Sequence, residues 1–179
     1  QIEERFTIID EEPSYAENTM LPPAQSASPR LVQHLLPGIQ NALRFLAFQE
    51  ANIMAIAVNE LANNRATSSQ QRLNIQRLLA QTYYYLGDND SALVCYFSAI
   101  DLAEEINDLL SLTHIYCELA MVYANKFDFI DASKEAMQAL KLSREINQPD
   151  IIREALFTLY LVKDRKTEPM PAPLYNELT

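Results

Sequence analysis

LLAQTYYYLGDNDSALVCYFSAIDLA, residues 78–103, is the stretch on which the fold turns. Ala80 and Tyr83 stand three apart before Gly87-Asp88, and Ala92, Tyr96 and Ala99 recur at spacings of four and three after it. Small and apolar residues at that spacing share one face of a helix. The stretch therefore reads as a helix, a turn at Gly87-Asp88 and a second helix.

Outward from it, the chain repeats itself. Residues 73–112 set against 113–152 without a gap give eleven identities in 40 pairs. Among them are Ile75/Ile115, Leu79/Leu119, Ala80/Ala120, Tyr83/Tyr123, Asp88/Asp128, Ala92/Ala132 and Ala99/Ala139. Two copies of one helix–turn–helix packing face would produce this list. The predicted helices are about 69–86 and 90–106 in the first copy, and about 108–126 and 130–146 in the second. Asp88 and Asp128 can cap the second helix of each pair. Asn107 and Asn147 mark the joints between units, where Asn tolerates left-handed or capping geometry. Ser68 with Gln71 is a capping-box pattern, which starts the first of these helices near Ser69. Pro149 opens a fifth helix (149–163), followed by Arg165 and Lys166, which suit the negative end of a helix dipole.

The flanks are less regular. Ser28-Pro29 opens a helical run with Leu31, Leu35 and Leu36, and Pro37-Gly38 is expected to break or kink it. A second stretch runs from Ile39 to about Leu61, as one helix or as two joined near Phe48-Gln49-Glu50. Segment 29–63 thus reads as a degenerate repeat or a cap, and polar 63–72 as a loop. Residues 1–28 hold six acids and read as an acidic, Pro-containing flexible tail, with Phe6-Thr7-Ile8-Ile9 a candidate docking motif. Residues 167–179 carry three prolines and read as a second flexible tail. Within it, Tyr175-Asn176-Glu177-Leu178 resembles a tyrosine-based docking motif.

The repeat resembles a tetratricopeptide repeat (TPR). Ala80, Tyr83, Gly87-Asp88, Ala92, Tyr96 and Ala99 match that family's pattern in order and spacing. The second copy keeps Ala120, Tyr123, Asp128, Ala132 and Ala139, and places Phe127 where Gly is usual and Ala136 where an aromatic is usual. Standard repeats run about 34 residues; these run 40, which makes the chain similar to the long-helix variants of kinesin light chains and bacterial regulators. The resemblance implies an all-α, TPR-like α-solenoid of antiparallel helix pairs in a right-handed superhelical stack, spanning 29–166. It also implies a concave groove lined by the first helix of each pair. Its stripe would be Asn74, Arg77, Gln81, Tyr84 and Tyr85 on the first copy, then His114, Cys117, Glu118, Met121 and Asn125 on the second. Glu154, Phe157 and Leu161 would continue it. Arg77 and Tyr84 would be replaceable there with little loss of stability. Glu104 and Glu135 are expected to face outward. The groove lacks the basic and amide set that grips the acidic tail of a chaperone, because Cys117, Glu118 and Phe157 do not supply it.

Composition narrows the function. The chain has 179 residues and a formal charge of −10, which argues against a nucleic-acid partner. Two glycines in all exclude Gly-rich phosphate loops. No apolar run approaches a membrane span. Two cysteines, Cys95 and Cys117, read as buried small hydrophobes of an intracellular, cytoplasmic protein. The first residue is Gln, consistent with a fragment of a larger polypeptide with further domains. His114 and Cys117 lie three apart on one helix, but two ligands do not make a zinc site. No catalytic, metal or cofactor site can be assembled. The expected function is a non-catalytic scaffold, holding a peptide or helix of a partner protein in the groove. The alternative is a ligand- or peptide-sensing domain of a larger signalling or transcription regulator.

Overall fold

A computed structural model describes residues 29–63 and 67–178. These residues form eight helices and no strand: α1 (Pro29–Arg44), α2 (Phe48–Asn63), α3 (Ser69–Leu86), α4 (Asn89–Glu105), α5 (Leu109–Asn125), α6 (Phe129–Ile146), α7 (Pro149–Arg165) and α8 (Ala172–Leu178). Each helix packs on the next in the chain. The odd-numbered helices also touch along the stack (α1 on α3, α3 on α5, α5 on α7), whereas no two even-numbered helices bring their backbones together, α6 and α8 meeting only through side chains. The odd helices thus form a tight inner layer, and the even helices fan apart outside it.

Backbone chemistry sets the period. After α1, α3, α5 and α7 the chain turns through a residue with positive φ: Leu46 (59°), Gly87 (81°), Phe127 (62°) and Thr167 (60°). At each, paired hydrogen bonds close the helix end, as in Phe127 N–H to Ala124 C=O at 3.1 Å and Asp128 N–H to Tyr123 C=O at 3.0 Å. This is the Schellman arrangement, which satisfies carbonyls left over at a helix C-terminus. Asn107 and Asn147, both at φ 56°, mark the joints after α4 and α6. The turn at Leu46 shows that α1 and α2 form a further pair in the same register.

Next come the N-termini. Ser68 and Gln71 make the reciprocal capping box that starts α3. Asp88, Asp108 and Asp128 cap α4, α5 and α6 by accepting from the backbone N–H groups of Ser91, Ser111 and Asp131. Small residues then let the helices close on one another: Ala51, Ala55, Ala92, Ala99, Ala132 and Ala139 are all buried. Tyr96 is fully buried beneath the inner layer.

Two expectations change. Pro37-Gly38 does not break the first helix; α1 runs through it. Pro37 forgoes one ladder bond in an exposed stretch, while Ile39, further along, is buried in the core. The segment after 166 is not a loose tail. Met170, Leu174 and Leu178, spaced by four, pack on the core of α5–α7. Arg144 Nη2 donates to both Glu177 oxygens at 3.0 and 2.8 Å, and Lys163 Nζ to Glu168 Oε2 at 2.9 Å. A stack of repeats leaves an apolar face at its end, and α8 covers it. Leu178 of the tyrosine motif is accordingly packed. The acidic segment 1–28 and its Phe6–Ile9 motif lie outside the described residues.

Candidate functional site

The inner layer places the side chains of α3, α5 and α7 side by side. Polar pairs join these helices one repeat apart. Arg77 donates from Nε to both Glu118 oxygens at 3.1 Å and from Nη2 to Oε1 at 2.6 Å. Gln81 Nε2 adds a bond to the same Oε1 at 2.8 Å. His114 Nδ1 lies 2.9 Å from Glu154 Oε1. Arg165 Nη1 donates to Asn125 Oδ1 at 2.6 Å. The result is a ladder of cross-repeat rungs along the inner face.

The electrostatics follow from the rungs. Burial pulls the Arg77 guanidinium down, but the facing Glu118 charge and its hydrogen bonds outweigh this and hold it above its ordinary value. The hydrogen bond to His114 holds Glu154 below the usual carboxylate range. Arg77 and Glu118 are mostly buried, so each needs the other. Arg77 is therefore not a stability-neutral position.

Beside this ladder, α1 and α3 enclose a cavity of about 500 Å3. Asn74, Arg77, Gln81 and Tyr85 line it from α3, and Leu36, Gln40, Leu43 and Arg44 from α1. Tyr85 is fixed by stacking on Phe48, with ring centroids 4.9 Å apart, and by the edge of Tyr84 at 5.3 Å. Of the ten expected groove residues, four thus meet in one cavity and Tyr84 props its wall. His114, Glu118, Met121 and Asn125 are half-buried on α5, outside that cavity. Cys117 is 4% exposed, as its reading as a buried small hydrophobe expected, and this corrects its place among the groove-lining side chains. Burial pushes its thiol up to about 12 and that of Cys95 up to about 11, so both stay protonated. Glu135 is also a correction, being buried where an outward acid was expected. The outward row of α6 passes through Ile130, Lys134 and Met137; Glu135, about 100° further round the helix, turns inward.

The α1 half of the cavity escaped the sequence reading. Counting back 41 residues from Arg77, Gln81 and Tyr85 lands on Leu36, Gln40 and Arg44. That offset, with its Gln40/Gln81 match, was the available signal; Pro37-Gly38 obscured it.

Among the described residues, no group of three His, Cys, Asp or Glu is placed to hold a metal, and no helix is long and apolar enough to cross a membrane.

No protein-family model and no curated protein matches the sequence. Solved structures do resemble the fold. BtubC (BKLC) from P. vanneervenii superposes with a TM-score of 0.66 at 17% identity, over 84% of this chain and 61% of that one. A Podosopora anserina protein described as a kinesin light chain with nearly identical TPR-like repeats gives 0.66 at 15% identity, over 86% and 74%. The chain is a helical repeat protein with the TPR-like fold, and it spans less than two thirds of the BtubC chain.

Proposed function

We propose that this chain is a non-catalytic interaction scaffold that holds a peptide or helix of a partner protein along its inner face, anchored in the α1–α3 cavity. The cavity composition carries this reading. Gln40, Asn74 and Gln81 offer amides that can pair with a peptide backbone, and Leu36, Leu43 and Leu78 offer apolar contact. Arg44, exposed and without an ion pair among the described residues, is the free donor. Tyr85 is a braced aromatic plate, a side chain that binds at low entropic cost.

Site-specific photo-crosslinking tests it. A photoreactive residue at Asn74, inside the cavity, should capture the partner, and one at Ala57, exposed on the outer helix α2, should not. Arg44→Ala and Tyr85→Ala should each weaken binding by about 1–2 kcal/mol, as truncation of interface anchors does. Capture from Ala57 alone would move the site off the inner face.

A further inference from the structure

The outer side carries a cleft that the inner groove does not explain. Because α4 and α6 stand apart, α5 forms the floor of the gap between them. The cleft measures about 340 Å3 and is lined by Phe97 and Ile100 of α4, Tyr116 and Leu119 of α5, and Glu135 and Gln138 of α6, with Lys134 also against it. That size lies within the range of protein ligand pockets.

Glu135 is the unusual member. It is 8% exposed, yet its ion-pair partner, Lys134 Nζ at 3.3 Å, belongs to a side chain that is 72% exposed. A carboxylate in mostly apolar surroundings is costly unless it is paired and hydrogen-bonded. Packing does not require it. Forty residues earlier, the corresponding position of α4 is Cys95, which is equally buried. The charge is therefore a feature of this copy and not of the repeat.

The surroundings suit a particular guest. Phe97 is half-exposed at the cleft, and Tyr116 is half-buried within it. Burial, with the charges of Glu104 and Glu135, pushes the Tyr116 hydroxyl up, so it stays protonated. Val94, Ile130 and Met137 are large, exposed apolar residues on the same two outer helices. The chain as a whole carries −10.

We propose that this cleft is a second binding site, one that takes an arginine side chain flanked by apolar residues on a partner protein. A guanidinium is planar, stacks on aromatic faces and meets a carboxylate in two parallel hydrogen bonds. Phe97 and Tyr116 supply the faces, Glu135 the carboxylate, and Gln138 a side-chain carbonyl for a remaining N–H. Lys134, whose side chain is 72% exposed, swings into water as the guanidinium of the guest takes its place on the carboxylate. Val94, Ile130 and Met137, exposed on the same two helices outside the cleft lining, offer apolar surface to the residues that flank the arginine. The negative charge of the scaffold favours approach of a basic segment over an acidic one.

The test is a titration of the whole chain with the peptide acetyl-Leu-Leu-Arg-Leu-Leu-amide, followed by nuclear magnetic resonance. Perturbations are expected at Phe97, Tyr116 and Gln138. Replacing arginine by citrulline keeps the shape and removes the charge, and should weaken binding at least tenfold. Glu135→Gln should do the same, and Lys134→Ala should tighten binding two- to threefold by freeing the carboxylate. The citrulline peptide keeps the test decisive even if Glu135→Gln alters folding. Equal binding of the arginine and citrulline peptides, perturbation confined to the α1–α3 cavity, or no perturbation at millimolar peptide would each overturn the proposal. The inner groove keeps its own separate test, the crosslink from Asn74.

Discussion

Arg77 of α3 and Glu118 of α5 lie 41 residues apart in the chain and are joined by three hydrogen bonds of 2.6 to 3.1 Å. They fasten one repeat to the next from inside the groove. Breaking one side strands the other in a mostly buried setting. Glu118→Ala is expected to cost about 1.5–3 kcal/mol, the usual worth of hydrogen bonds to charged groups. The double variant Arg77→Ala, Glu118→Ala should cost less than the sum of the singles. Urea titrations of all four proteins measure the difference.

Ala92 and Ala132 are fully buried where paired helices cross. Leucine at either position adds methylenes to a filled contact and should cost about 1–3 kcal/mol. The midpoint of thermal unfolding should fall for both. An unchanged midpoint for Ala92→Leu would place the crossing elsewhere.

Phe127 stands at φ 62° and is 80% exposed, a position where its ring buries little and its backbone is strained. Phe127→Gly should relieve the strain and stabilise the chain by about 1 kcal/mol. Leu46→Gly, at φ 59° and 73% exposed, should act in the same direction. Calorimetric midpoints that fall for both would mean these side chains pack more than their exposure shows.

Asp108 caps α5. Burial pushes its carboxyl up, but hydrogen bonds from Ser111 and Gln70 outweigh this and hold it below its ordinary value. Because the folded value is the lower one, the capping contribution is complete above the ordinary carboxylate value. It is lost as pH falls through the folded value. Asp108→Ala should therefore cost about 1 kcal/mol near pH 7. Stability curves of the variant and the unaltered chain should converge only below the folded value, where the carboxyl is protonated in both folded and unfolded chains.

Removing residues 167–179 uncovers the surface that Met170, Leu174 and Leu178 now shield. The truncated chain should lose on the order of 3 kcal/mol, by the worth of three partly buried apolar side chains. Limited proteolysis of the whole chain should spare α8. Trimming at Lys166 with an unchanged unfolding midpoint would show that α8 contributes nothing.

Much of the scaffold was legible because it is written in local chemistry. The Ser68–Gln71 box, the Asp88 and Asp128 caps and the 40-residue recurrence of small residues each act over a few positions. They predicted α3 with its bounds as observed and the other central helices to within about two residues. The pair α1–α2 was less clear, since its turn at Leu46 has no glycine to announce it. Within the groove stripe, Asn74, Arg77, Gln81 and Tyr85 were found from their place in the repeat. Their companions on α1 were not, and Cys117, expected both in the stripe and as a buried small residue, is the buried residue.

What the sequence by itself determined is the helical repeat: periodicity and capping depend on neighbours three or four residues away, which any reader of the chain can count. Tertiary structure alone decided the rest. Whether Glu118 is a free groove carboxylate or the anchor of Arg77 depends on two side chains 41 residues apart meeting. Whether Met170, Leu174 and Leu178 form a tail or a cap depends on the apolar face that α7 leaves uncovered. Whether Glu135 faces water or a cleft depends on how far α4 and α6 are splayed above α5. Each is a long-range balance of burial against solvation, settled only when the helices are stacked.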